Sequence, residues 1–271
     1  MWSKISAGLS NIKVLLAGNE EAYGYLKAFI RKLYGPICAS IGWEKKDGEA
    51  HTDSLKRALV LKAMSAAGDE DTAKVAGEKF ELLKADVSAP VDPDLKLLVY
   101  GMAASNGGEA AYETLLGMYN DPTTMSEEKV RLLQSLGSTK DEAIMAKILG
   151  MLLDDDSGVR SQDSMYCIAG VALNLVYGRA FAWSWMKTNW DALFQKFGTG
   201  GSFTLPRLVS YATKCLATEE DADDVEGFFK THECEGAART VQQAVEAIRT
   251  AAASNKREGD DITAWLKEQQ A

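Results

Sequence analysis

Apolar residues recur every three or four positions along almost the whole chain, the spacing that places them on one face of a helix. Trp2, Ile5, Leu9, Ile12 and Leu16 form the first such stripe, and Tyr23, Leu26, Ile30 and Leu33 the second. The same period predicts helices over 54–67, 70–84, 93–104, 109–120, 126–136, 140–153, 163–176, 179–196, 204–216, 220–230, 236–253 and 259–269. No segment alternates apolar and polar residues as a half-buried strand does. Thr124-x-x-Glu127 and Thr139-x-x-Glu142 match the capping box, in which side chains satisfy orphan N–H groups at a helix start. Gly35-Pro36, Gly68, Gly107-Gly108, Asp121-Pro122 and the run Gly198 to Gly201 punctuate the gaps.

Some thirteen or fourteen helices with short connections follow from this pattern. Short links make consecutive helices antiparallel neighbours, and many such pairs in series stack into an α-α superhelix. No strict period is visible, so the repeat is degenerate, of the HEAT or armadillo kind. Asp86 to Pro93 reads as a Pro-containing loop rather than a linker, and the expectation is one all-α domain over 1–271.

Composition agrees. With 271 residues, 46% of them hydrophobic, the chain can bury a sizeable core, and only five prolines favour helix. The net charge of −9 comes without any stripe of clustered Lys and Arg, which excludes nucleic acid as the expected partner. The longest apolar run, Cys167 to Val176, includes Asn174 and is too short to span a bilayer. The N-terminal segment from Met1 to Gly18 lacks the uninterrupted apolar core of a signal peptide, so a soluble protein without membrane contact is expected. Cys38, Cys167, Cys215 and Cys234 are scattered with no C-x-x-C, as in reduced thiols of a cytoplasmic protein.

Catalytic chemistry is hard to find. Zinc hydrolases of the H-E-x-x-H type need two histidines one helical turn apart. Here His232-Glu233 begins that pattern, but Gly236 stands at the second histidine position, and the other histidine is the distant His51. Both read as surface loop residues, and no metal or cofactor site is expected in this chain. No G-x-S-x-G occurs, and Gly198-Thr-Gly-Gly201 lacks the Lys-Ser/Thr of a phosphate loop, so it reads as a turn.

Polar residues within apolar sectors are more telling. Arg57 projects between Val60, Leu61 and Met64, so it needs a partner, and Asp53 one turn earlier has the spacing to supply one. It is either a structural anchor or a substrate contact. Arg239, Gln242 and Glu246 share a stripe opposite Val241, Val245 and Ile248. That stripe is a solvated face, a cavity lining or a docking surface. Trp183, Met186 and Trp190 share a face, with Phe181 and Trp185 one turn apart nearby, in keeping with core or an inter-domain contact. Arg160, Gln162 and Asp163 open the preceding helix as cap and network residues or as cavity-lining groups.

Taken in order, these motifs resemble the C-terminal helical domain of the puromycin-sensitive type of zinc aminopeptidase, in the gluzincin group that includes the endoplasmic-reticulum aminopeptidases. The resemblance runs from Trp2-Ser3 and Gly42-Trp43 through His51-x-Asp53-x-Leu55-x-Arg57-x-Leu59-Val60-Leu61. It continues with Glu128-Lys129-x-Arg131, Leu136-Gly137-x-Thr139, Arg160-x-Gln162-Asp163 and Gly178-Arg179-x-x-x-Trp183 to Asn189-Trp190. It ends in Phe228-Phe229, His232, Arg239-x-x-Gln242-Gln243 and Glu246-x-Ile248. Where such domains usually place Asn and then Trp shortly afterwards, this chain has Ala251 and Ser254.

The resemblance implies a bowl of antiparallel helices that covers the active site and shapes its peptide cavity. The catalytic domain, with its zinc, its H-E-x-x-H and its G-A-M-E-N motif, lies outside this chain. The partners so implied are that catalytic domain and peptide substrates. Arg160, Gln162, Asp163 and Arg239 are the candidate substrate-binding residues. A free-standing HEAT-like scaffold for protein partners is the alternative function.

Overall fold

The computed structural model describes residues 1–198 and 203–270. Among them the chain is all-α, with no strand. Gly198 closes a helix, and the rest of the Gly198 to Gly201 run lies outside the described residues. The chain divides into two compact units, one of residues 1–103 with 257–271 and one of residues 104–256.

The first unit holds α1 (Trp2–Leu16), α2 (Glu20–Ile41), α3 (His51–Ala66), α4 (Glu70–Ala85), most of α5 (Pro93–Asn106) and the end of α14 (Ala238–Glu268). Asn19 starts α2 by accepting the Ala22 N–H at 3.1 Å, and Asp69 starts α4 by accepting that of Thr72 at 2.9 Å. Ala22, Leu26, Ile30, Tyr34 and Ile41 form the buried stripe of α2. They pack with Leu16, Val60, Met64, Ala67 and, from α14, Leu266. Gly35-Pro36 does not interrupt this helix, which runs through Pro36. Proline removes one helical hydrogen bond; the buried side chains on both sides of it hold the helix in one piece.

Arg57 is buried as expected, at 1% exposure, but Asp53 is not its partner. Asp53 binds Lys56 at 2.6 Å, while Arg57 pairs with Glu49 and donates from Nε to the Gly42 carbonyl at 3.2 Å. The loop entering α3 turns at Gly42 and Gly48, with φ of 64° and 76°, and so brings both acceptors to the guanidinium. A Cβ is disfavoured at such φ. Arg57 Nη1 has no hydrogen-bond partner among the described residues. The Glu49 carboxyl sits below its ordinary range, chiefly because it accepts the Lys46 amide and, despite some burial, because Arg57 faces it.

The second unit contains α6 (Gly108–Asn120), α7 (Ser126–Leu136), α8 (Glu142–Gly150), a 3-10 turn (Ser161–Asp163), α9 (Ser164–Ala172), α10 (Arg179–Thr188), α11 (Trp190–Phe197), α12 (Thr204–Thr213), α13 (Glu219–Thr231) and the start of α14. Its centre is α9, packed by α7, α8, α10 and α12. Cys167, Ile168, Ala169, Val171 and Ala172 are all buried, which explains why the longest apolar run of the chain falls here. A helix apolar all round is a helix surrounded by others.

Glycines set how closely those neighbours approach. A Cβ on Gly137, just after α7, would lie 2.0 Å from the Gly170 carbonyl carbon of α9, and one on Gly178 would lie 2.1 Å from the Val171 oxygen. Asn174 ties the same junction, donating to the Thr139 carbonyl at 2.7 Å and to that of Gly137 at 3.2 Å.

Several boundaries differ from the sequence expectation. Neither proposed capping box forms. Thr124 donates to the Met118 carbonyl, and Asp141, not Thr139, caps α8 by accepting the Ala143 and Ile144 N–H groups. A capping box does form between Thr218 and Asp221, at the start of α13. The segment 179–196 breaks at Asn189 into α10 and α11, whereas 236–253 and 259–269 merge into one helix of 31 residues. No helix among the described residues is long and apolar enough to cross a membrane.

Candidate functional site

The second unit carries a groove of about 830 Å³ between α13 and the first half of α14. The Thr218–Asp221 box fixes the start of α13, with Asp221 N donating to Thr218 Oγ1 at 3.0 Å and Asp221 Oδ2 accepting the Thr218 N–H at 3.1 Å. The far end of α13 closes at His232, whose ring stacks on Phe228 with centroids 3.9 Å apart and whose Nδ1 lies 2.9 Å from the Phe228 carbonyl. Gly236, with φ of 81°, then turns the chain into α14.

Phe229, Val241 and Val245 give the groove an apolar floor, and Gln242, Glu246, Glu226 and Arg249 give it a polar rim. Arg249 Nη2 donates to Glu226 at 3.0 Å and to Asp223 at 3.2 Å, and these two carboxylates keep it protonated beyond its ordinary range. Glu246 has no side-chain ion pair among the described residues. The rim therefore offers one free carboxylate (Glu246), one amide and two cations, Arg249 and Lys230, both paired with Glu226, over a hydrophobic base. Such a lining suits the side chains and backbone of a peptide better than a phosphate, which needs unpaired cations or free backbone N–H groups.

An aromatic cluster holds the groove from behind. Trp190 meets Phe229 edge-on at 4.9 Å and Phe228 at 5.9 Å, while Trp183 meets Phe228 at 5.6 Å. Each edge-on pair contributes about 0.5–1.5 kcal/mol beyond its burial. The indole N–H groups are satisfied: Trp190 donates to the Glu233 carbonyl at 3.1 Å, and Trp183 to Asp224 at 2.6 Å. Trp183, Met186 and Trp190 are thus core, the first of the two readings their spacing left open. Burial tends to raise the Asp224 carboxyl, but the Lys187 ammonium and the Trp183 N–H outweigh it and hold that carboxyl below its ordinary range.

The sequence candidates separate into two places. Gln242 and Glu246 line the groove, but Arg239, though exposed on the first turn of α14, does not. Arg160 and Asp163 form a fork, with Nε and Nη2 at 2.6 and 2.5 Å from Asp163 Oδ2, and Nη1 reaches Ser126 at the start of α7 at 3.3 Å. Asp163 is 3% exposed, so the pair acts as a tie between α7 and the entrance of α9; Gln162 beside it is exposed. Sequence reasoning missed Arg249 and Phe229. Arg249 stands three residues beyond Glu246 on the same helical stripe, so extending that stripe by one turn would have included it.

Among the described residues no three His, Cys, Asp or Glu side chains come together as metal ligands. His51 opens α3 and His232 caps α13, so neither is a free loop side chain.

The described residues thus form an all-helical fold with a groove between α13 and α14. Residues 1–250 match the family described as ERAP1-like C-terminal domain, and the chain belongs to that family. It is 32% identical over 241 residues to Aminopeptidase M1 of Arabidopsis thaliana, covering 88% of this chain and 26% of that protein. Aminopeptidase M1-A of Oryza sativa subsp. japonica is 34% identical over 250 residues, covering 90% and 27%. Glutamyl aminopeptidase of Rattus norvegicus is 31% identical over 268 residues, covering 98% and 27%. The chain thus spans about a quarter of the length of these relatives. It corresponds to a C-terminal domain of the kind that family describes.

Proposed function

We propose that this chain is the single, non-catalytic C-terminal domain of a zinc aminopeptidase, stacked as a helical superhelix, which covers the active site and shapes its peptide cavity. The observation that carries this reading is the family match over residues 1–250, in a chain that spans only a quarter of its aminopeptidase relatives. Zinc and the residues that activate water belong to the catalytic domain, where the metal lowers the pKa of bound water for attack on the peptide carbonyl. This chain contributes contacts to the peptide away from its reacting N-terminus. The α13–α14 groove, with Gln242 and Glu246 on its rim, is the surface best suited to them. Arg239, Arg160, Gln162 and Asp163 contribute less, since the first lies off the groove and the others tie helices together or face solvent. Four unpaired cysteines support a reducing, cytoplasmic setting.

Two measurements test the proposal. The isolated chain should bind no catalytic zinc and should not hydrolyse aminoacyl-coumarin substrates; metal-dependent turnover by it would refute the assignment. In the whole enzyme, Glu246→Lys with Gln242→Ala should change kcat/KM for long peptides by at least about threefold while leaving aminoacyl-coumarin turnover unchanged. Equal effects on both substrates would remove the groove from the peptide path.

A further inference from the structure

The first unit carries a concavity of its own. It is an apolar cleft of about 280 Å³ walled by Leu9 and Ile12 of α1, Leu26 and Phe29 of α2, and Ile262 and Trp265 of α14. Trp265 stands edge-on to Phe29 at 5.1 Å yet remains 49% exposed, an unusual cost for an indole with no covering group. One turn before it, at the mouth of the cleft, lies Asp261. Asp261 and its neighbour Asp260 have no ion pair among the described residues, whereas Glu258 is already neutralised by Arg257. The position is well anchored. Gln270 donates to the Tyr25 carbonyl at 3.2 Å, and Lys32 donates to that of Gln269 at 3.0 Å, which fixes the end of α14 on α2.

We propose that this cleft docks a polypeptide segment in which a bulky apolar residue is followed by Lys or Arg. The apolar side chain fills the space between Ile12, Phe29 and Ile262. The cation lies over the exposed indole face of Trp265 and pairs with Asp261, combining a cation–π contact with an ion pair. Size and charge select this occupant. The cleft has room for one or two side chains rather than for a nucleotide-sized cofactor. An anionic lipid surface would be repelled by the two adjacent aspartates and by the net charge of −9. A second copy docked about a two-fold axis would bring the unpaired Asp261 carboxylates of both copies together.

The test uses the whole chain and two probes, acetyl-Gly-Phe-Arg-Gly-amide and acetyl-Gly-Phe-Glu-Gly-amide, titrated while the indole N–H resonance of Trp265 is followed by NMR. The signal is assigned by its loss in Trp265→Phe. Replacing attraction by repulsion at this distance corresponds to a preference of about tenfold for the arginine peptide. Asp261→Lys, an exposed substitution whose fold is checked by its melting curve, should reverse the preference, and added salt should reduce it. The proposal is overturned by equal affinity for both peptides, by an unchanged preference in Asp261→Lys, or by no shift at about 10 mM arginine peptide. Concentration-dependent dimerisation abolished by Trp265→Ala would assign the face to a second copy and overturn it equally.

Discussion

Gly137→Ala should be among the most damaging single-methyl changes this protein can suffer. The added Cβ would fall 2.0 Å from the Gly170 carbonyl carbon, 2.3 Å from the Val171 nitrogen and 2.5 Å from the Gly170 oxygen. Non-bonded carbons are comfortable at about 3.5–4.0 Å, so α7 and α9 must separate by roughly 1.5 Å or more. All three atoms are backbone, and no rotamer change relieves the contact. Separation also loosens the buried residues on both sides, Leu132, Leu133 and Leu136 against Cys167, Ile168 and Val171. It strains the bond from Asn174 to the Gly137 carbonyl as well. Overpacking costs about 1–3 kcal/mol where side chains can adjust. Here the cost should reach or exceed about 3 kcal/mol, which lowers Tm by about 6–12 °C for a unit of this size. Gly117→Ala in α6 is the control, since nothing lies within 4 Å of its added Cβ and alanine favours helix by about 0.5–1 kcal/mol. Circular-dichroism melting of both variants checks the reasoning. A Gly137→Ala protein that melts within a degree of the parent would show that the two helices do not cross at backbone contact.

Two further outcomes follow from burial and charge. Complete burial pushes the Cys167 thiol up to about 12, so it should react with a disulfide reagent at pH 8 only as fast as the protein unfolds. Half-buried Cys38 and Cys234 should react first, and rapid modification of all four thiols in the folded protein would contradict the buried α9. The Asp224 carboxyl is lowered on folding, so its stabilisation is complete above the unfolded carboxylate value near 4 and lost as pH falls through the lower folded value. Asp224→Asn should therefore melt a degree or two below the parent at pH 7, a small effect because the carboxylate is nearly half exposed, and equal to it by about pH 2. A difference that persists at low pH would point to a packing effect instead.

Helix existence was legible because burial follows the apolar period, as in the stripe from Ala22 to Ile41. Helix ends were not, because they depend on single side chains competing for the same N–H groups. Asp141 wins that competition over Thr139 by accepting two of them. Ser254 to Glu258 has no apolar member and reads as a gap, yet those residues tolerate helix, and Gly259 beyond them is buried, where a small residue serves packing. The charge partner of Arg57 was also invisible, because Glu49 lies in the preceding loop and reaches the guanidinium only through the turn at Gly48. The sequence did mark Arg160, Gln162 and Asp163 as one polar cluster, but it could not say that Arg160 pairs with Asp163 or that Asp163 alone of the three is buried. Half of the groove stripe was readable from α14 alone; the contribution of Phe229 required the α13 partner.

The continuity of α14 bears on where this protein may be cut. The family match covers residues 1–250, whereas the first compact unit takes in residues 257–271. A fragment trimmed to residue 250 would keep the whole matched span and still lose Ile262 and Leu266 from the core beneath α1 and α2. Leu26 and Phe29 would then face water, and the N-terminal helices, farthest from the cut in sequence, would be the part that precipitates.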